Sequence, residues 1–391
     1  MSRASLYIHV PFCRSLCEYC DFSRIRWTLD AERRYLSSLI MEMNAALPRQ
    51  LPVGTLFIGG GTPSSLSLDG WRRLIDALNG HCDLTDVSEW TIEANPESFT
   101  DALAALWRES GVTRISFGAQ TFQPRLLTAL GRIHTADAVD SAVERARAAG
   151  IDRVSVDLMY GLPGQTPDDW LADVKRATSL PVEHVSAYAL TVEPGSSFGA
   201  RAAAGQLPLP PDEAVSDMYR TAMQQLSRYG FEQYEISNWR AADDRNPNGR
   251  ITACLHNMTY WERRPCYALG PSASGFDGQT RWTNIRRFDD WADALNAGRR
   301  PIAESETLTG RARAGETIML ALRLNRGIDI DALRRLCDVT DGETESFGPD
   351  GGMNQRIELF ISRGLMETVG DAIRLTDAGR PVADAILCEF I

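Results

Sequence analysis

The stretch His9–Phe22, HVPFCRSLCEYCDF, holds Cys13, Cys17 and Cys20 in a C-x3-C-x2-C spacing. Three soft thiolates within eight residues suit a metal centre, either zinc or an iron–sulfur cluster. A structural zinc takes four ligands, usually as two spaced pairs, and here there is one trio. His9 is the nearest extra donor, but its strand-like setting can point it away from the loop. Three cysteines on a [4Fe–4S] cube leave one iron without a protein ligand, open to a substrate or cofactor. The other five cysteines are scattered and read mostly as small buried hydrophobes.

Further candidates follow at regular intervals. GGGTPS spans Gly59–Ser64, and its glycines (Gly60, Gly61, then Thr62) would let backbone groups approach a ligand closely. Glu93 stands in TIEANPES, Gln120 in SFGAQTF, Arg132 in LGRIH and Asp157 in VDLMYGLPGQT. Taken singly, each is an ordinary buried hydrogen-bonding residue. Taken together, they supply a carboxylate clamp in Arg132 and partners for hydroxyls and an amine. Gly161–Thr166 reads as a turn and helix cap.

These residues need elements to carry them. Apolar, β-branched runs at Leu6–Val10, Thr55–Ile58, Trp90–Glu93, Arg114–Phe117, Arg153–Leu158 and His184–Leu190 predict strands. Helical patterns lie between most of them, at Ala31–Ala46, Leu68–Leu78, Ala138–Ala149 and Asp168–Ala177. Such alternation predicts a parallel sheet curled into a full or partial barrel. Chemistry in such folds gathers at the C-terminal strand ends, where the cysteines, GGGTPS, Glu93, Gln120 and Asp157 all fall. After residue 195 the texture changes. Pro194–Pro211 reads as a connector, Asp212–Tyr229 as a helix and Arg240–Thr252 as an exposed loop. From about Ser305, helices at Arg311–Leu324, Ile330–Leu336 and Met353–Arg363 precede a hairpin at Leu365–Leu375, a winged-helix-like pattern. The expected units are therefore 1–195, 196–304 and 305–391.

The chain has 391 residues, 43% of them hydrophobic, and a net charge of −11. That balance argues against nucleic-acid binding through a basic surface. No run of 18 apolar residues predicts a membrane span, and the N-terminus does not read as a signal peptide. A cytoplasmic protein with reduced thiols is expected.

Cysteines spaced C-x3-C-x2-C after a first strand, with Tyr19 before the last, resemble the signature of radical S-adenosylmethionine (SAM) proteins. The resemblance implies a [4Fe–4S] cluster on Cys13, Cys17 and Cys20, with SAM on the fourth iron. Across nearly the whole chain, from YIHVPFC at Tyr7, the sequence resembles the branch containing oxygen-independent coproporphyrinogen oxidase and the HemW heme chaperones. On that pattern Tyr7, Gly60, Gly61, Thr62, Glu93, Gln120, Arg132 and Asp157 match SAM-binding positions. The expected fold is the radical SAM partial (β/α)6 barrel. The oxidase side continues as C-x3-C-x2-C-x-C, and Phe22 takes that last position here, as on the HemW side. CLHNMTYW at Cys254–Trp261 matches an HNxxYW motif of the HemW side, which implicates His256 in heme contact. One departure is Ser274, where the family shows a histidine in a glycine-rich segment; the Arg240–Thr252 loop is also longer than usual. The partners implied are heme, a respiratory apo-hemoprotein, a reductant for the cluster and a second copy in a homodimer. Two enzyme readings stay open beside heme transfer: a radical SAM methyltransferase and a coproporphyrinogen oxidase.

Overall fold

The computed structural model describes residues 3–242, 252–342 and 352–391. Six parallel strands form where the apolar runs predict them: β1 (Ala4–Val10), β2 (Leu51–Gly60), β3 (Glu89–Ala94), β4 (Arg114–Gln120), β5 (Arg153–Tyr160) and β6 (His184–Ala189). They lie side by side in that order. Their side chains alternate. Leu6, Ile8, Leu56, Ile58, Ile92, Ile115, Phe117, Val154 and Val156 face the helices and are fully buried. The opposite face is polar, with Ser5, Tyr7, Thr55, Glu93, Ser116, Gln120 and Asp157, and it curls into a lumen. The period of two therefore sorts an apolar coat from a polar bore.

The helices Leu29–Ala46, Leu68–His81, Asp101–Glu109, Ala136–Ala148 and Pro167–Ser179 cover the coat. Thr28, Ser67, Thr100 and Thr166 cap four of them through their hydroxyls, and Thr166 forms a full capping box with Asp169. Trp71, Trp107, Trp170 and Trp291 are fully buried in this layer. Burying each large side chain contributes roughly 1.5–3 kcal/mol.

The sheet continues past both edges. A hairpin of Phe231–Glu235 and Asn238–Ala241 adds beside β6. On the other side, Cys266–Leu269 pairs parallel to β1, followed by the antiparallel strands Ser274–Phe276, Thr280–Asn284 and Ile302–Thr307. The expected break at 304/305 falls inside that last strand, whose pairing carries the sheet across it. Of the loop expected at Arg240–Thr252, Arg240 and Ala241 finish the hairpin, and 243–251 lie outside the described residues. The C-terminal helices Gly310–Leu322, Ile330–Gly342 and Met353–Ser362 pack with a three-stranded antiparallel sheet around Ile318, Leu322, Ile357 and Phe390.

Candidate functional site

A cavity of about 550 Å³ opens at the C-terminal ends of the parallel strands. Cys13, Cys17 and Cys20 line one side of it. Their loop is tied down by its own backbone: Ile25 N–H donates to Pro11 O (2.7 Å), Trp27 N–H to Cys13 O (3.1 Å) and Glu18 N–H to Leu130 O (3.1 Å). Arg24 donates to the carbonyls of Cys17 and Cys20. Tyr19 packs against Leu126, Leu130 and Met159, while Phe22 stands 66% exposed on the cavity rim. Burial pushes the Cys13 thiol up to about 11. Thr62 offers its hydroxyl to Cys13 Sγ at 3.6 Å, and Arg132 Nη1 lies 3.7 Å from Cys17 Sγ. Three soft donors with cationic and hydroxyl neighbours suit an anionic thiolate-held cluster. Among the described residues no three Cys, His, Asp or Glu side chains gather as a single-ion site.

The glycine run folds over β1 at close range. Gly60 has φ +109°, and a Cβ there would meet the His9 ring at 2.5 Å; one at Gly61 would meet Phe12 O at 2.8 Å. The close approach expected of these glycines is made to β1, and the Gly60 and Gly61 amides are already engaged. Gly60 N–H donates to Glu93 Oε2 (3.0 Å) and Gly61 N–H to Val10 O (2.8 Å).

Glu93 and Asp157 face the cavity without a guanidinium or ammonium in direct contact among the described residues. Burial, with the Asp157 charge beside it, pushes Glu93 up to about 7. Burial also raises Asp157, against hydrogen bonds from Ser186 and from Ser116, whose hydroxyl lies 3.0 and 3.1 Å from the two oxygens. Gln120 adopts φ +65° where β4 shifts register between Gly118 and Gln120, and its side-chain Oε1 accepts from Tyr188 OH at 3.0 Å. Such a strained backbone at a cavity wall is a mark of a ligand site. Arg132 lines the cavity, but its Nη2 is spent on Asn95 Oδ1 and Gly118 O, both at 2.7 Å.

Sequence reading missed Asn95. Its Nδ2 donates to Thr62 Oγ1 (3.1 Å) while its Oδ1 accepts from Arg132, so it joins the two groups that reach the cysteine sulfurs. The available signal was a polar residue one step past the end of β3. Arg24, Ser116, Tyr188 and Arg286 were missed as well, and all line the cavity.

Two expected residues are not brought to the mouth. Tyr7 lies lower in the lumen, its hydroxyl 3.2 Å from His9 Nδ1 and its ring stacked on Phe57. His256 lies on the barrel floor and is 1% exposed. Its Nδ1 is 3.0 Å from Thr55 Oγ1 and its Nε2 is 3.0 Å from Tyr260 OH. Thr55 lies well before Gly60 on β2, toward its N-terminal end, so the motif helix Leu255–Trp261 plugs the opposite end from the cysteines. With both ring nitrogens engaged and the ring enclosed, this geometry offers no axial position to a heme iron. Ser274 is exposed and pairs with Thr283 Oγ1 at 3.0 Å; Ser272, at φ +63°, lines the cavity instead.

Cysteine loop, glycine crossing and strand-end acids together define a radical SAM protein. Residues 7–177 match the radical SAM superfamily, and residues 308–382 match the HemN C-terminal domain. The chain is 35% identical to the heme chaperone HemW of Mycobacterium tuberculosis, covering 98% of this chain and 93% of that one. It is 33% identical to the Bacillus subtilis heme chaperone HemW, over 99% of each chain. The chain belongs to the HemW family of the radical SAM superfamily. In fold it matches the Escherichia coli coproporphyrinogen III oxidase HemN with a TM-score of 0.82, at 21% identity, over 99% of this chain and 90% of that one. Membership of the superfamily implies a [4Fe–4S] cluster and SAM.

Proposed function

We propose that this chain binds heme and hands it to apo-hemoproteins, with a [4Fe–4S] cluster and SAM as resident cofactors. The observation that carries this is the near-full-length likeness to proteins named heme chaperone HemW. Phe22, exposed on the cavity rim where the oxidase side has a further cysteine, supports it.

In this reading Cys13, Cys17 and Cys20 hold the cluster, and Thr62 and Arg132 temper the charge on its sulfurs. When bound there, a reduced cluster would supply one-electron reducing chemistry toward SAM. Gly60 and Gly61 bring the β2 crossing close enough to wall the cofactor in. Glu93, Gln120 and Asp157 offer oxygens to hydroxyls and an amine, and Glu93 near pH 7 can hold or release a proton there. Arg132 presents Nη1 to a carboxylate, and Tyr7 supports this layer from below through His9. Three thiolate ligands suit a reducing, cytoplasmic setting. No helix among the described residues is long and apolar enough to cross a membrane.

The test is anaerobic. The cluster is reconstituted, heme is titrated by its Soret band with SAM products assayed in the same tubes, and a heme-free recipient is then added. Saturable binding followed by transfer, with little 5′-deoxyadenosine, is the expected result. Steady release of 5′-deoxyadenosine and S-adenosylhomocysteine without heme binding would mean a methyltransferase, and loss of substrate carboxylates a decarboxylating oxidase.

A further inference from the structure

A second cavity, of about 490 Å³, opens at the seam between the last parallel strand and the C-terminal domain. Tyr188, Ala189 and Thr191 form a wall common to it and to the SAM cavity. Its size is that of sites for organic cofactors. One side carries Tyr160, Val215, Tyr219 and Ile236; the other is the turn Arg380–Val382 running into the helix Ala383–Leu387.

Two arginines line it. The side chains of Arg323 and Arg380 are only 22% and 11% exposed. Each has a buried Nε–H without a partner among the described residues. Buried donors left over in this way call for an acceptor. Arg323 also feels the buried Glu235 carboxylate, and Arg380 Nη1 donates to Gln233 Oε1 at 3.1 Å, but the carboxylates in direct contact with the two guanidinium groups are exposed. Asp384 lies 3.7 Å from Arg323 and is 94% exposed, and Asp377 lies 2.9 Å from Arg380 and is 84% exposed. Pairs with such exposed partners are screened and contribute little. Asp212 and Asp384 also line the cavity, both of them exposed, whereas the guanidinium groups are sunk. Arg323 lies over the Trp261 ring at 4.6 Å. The last residue of the HNxxYW helix thus packs under an arginine of this cavity without lining it.

We propose that the seam cavity is where heme is held, with its two propionates on Arg323 and Arg380 and its ring against the Tyr160–Tyr219 wall. The proposal rests on the heme-chaperone reading and gives it a place. Heme is a flat apolar disc with two carboxylates on one edge, and the cavity presents a wall of tyrosine and aliphatic side chains and two sunken guanidinium groups, each with an Nε–H lacking a partner among the described residues. No His, Cys or Met is among the described residues that line it. Burial pushes Tyr219 up to about 12 and raises Tyr160 and Tyr188 as well, so their phenols stay neutral at pH 7. The protein therefore grips the disc by edge and face and leaves the iron free, as a carrier that must release its cargo requires. Trp261 is a positioning residue for Arg323.

The experiment uses full-length protein with its cluster reconstituted. The probes are hemin, metal-free protoporphyrin IX and protoporphyrin IX dimethyl ester. Wild type is expected to bind hemin and the metal-free ring with similar affinity and the diester more weakly. The double variant Arg323→Gln/Arg380→Gln should bind hemin roughly a hundredfold more weakly, about tenfold for each charged hydrogen-bond donor, with the diester nearly unaffected. Val382→Trp, at a position 45% exposed, should block the cavity without disturbing the core. Iron, sulfide and melting temperature verify that each variant is folded and loaded. Full hemin affinity in both the double variant and Val382→Trp would overturn the proposal and leave the chaperone reading standing. So would a wild type that binds hemin but not the metal-free ring. A wild type that binds no heme overturns both.

Discussion

The two ends of the barrel lumen are both polar, and they differ in how completely that polarity is used. On the floor, Glu89 is fully buried and is 2.6 Å from Arg153, and it accepts the N–H groups of Leu255 and His256 at 3.1 and 3.0 Å. Burial alone would raise its carboxyl, yet Arg114 and Arg153 hold it below its ordinary value. His184 is likewise spanned by Ser155 at 2.8 Å and Tyr234 at 2.9 Å. At the mouth, no guanidinium or ammonium touches Glu93 or Asp157 among the described residues, Arg114 acting on both only at longer range; burial raises both, and three thiols line the cavity. Buried polar groups with filled valences hold a structure together, and those with open valences wait for a ligand. By that measure His256 belongs to the floor.

The largest effect should come at the mouth. Replacing Cys13, Cys17 or Cys20 with Ala should abolish the cluster, read as iron and sulfide at background after anaerobic reconstitution; full loading of the triple variant would sink the ligand assignment. On the floor, Glu89→Gln should cost roughly 3–5 kcal/mol by stranding Arg114 and Arg153, seen as a lower urea midpoint at pH 7. An unmoved midpoint would mean that other groups hold the motif helix. Arg132→Ala should weaken SAM binding about ten- to a hundredfold by calorimetry on the loaded protein. Unchanged affinity would remove Arg132 from the site.

The smallest effect sharpens the contrast most. His256→Gln should cost roughly 1–2 kcal/mol at neutral pH while leaving cluster content and heme affinity intact. Burial lowers the folded histidine to about 4, whereas in the unfolded chain it titrates near the ordinary value of 6.5. Between those values only the unfolded chain takes up the proton, so this contribution to stability is present above pH 6.5 and is lost as pH falls toward 4. The gap between wild type and His256→Gln should therefore narrow on acidification, measured as urea midpoints across that range. Heme binding that collapses in this variant at unchanged stability would return His256 to the heme site.

Much of this was legible from local patterns. All six strands and the cysteine loop stand where the apolar runs and the C-x3-C-x2-C spacing predict them, because alternation and loop spacing are carried by neighbours in the chain. The strand-end rule also placed Glu93, Gln120 and Asp157 on one cavity. The added strands from Cys266 to Thr307 were not legible, since short edge strands have little periodicity.

What the sequence determined by itself is the barrel, the thiol trio and the family. Tertiary structure alone decided which polar residues stay available. His256 is taken up by Thr55, 201 residues away, and the Nη2 of Arg132 by Asn95, 37 residues away. The seam cavity joins Tyr160 and Tyr219 to Arg323 and Arg380 from the far end of the chain. A motif names a residue type at a position, but whether its hydrogen-bonding valences are already filled depends on distant segments that only folding brings together.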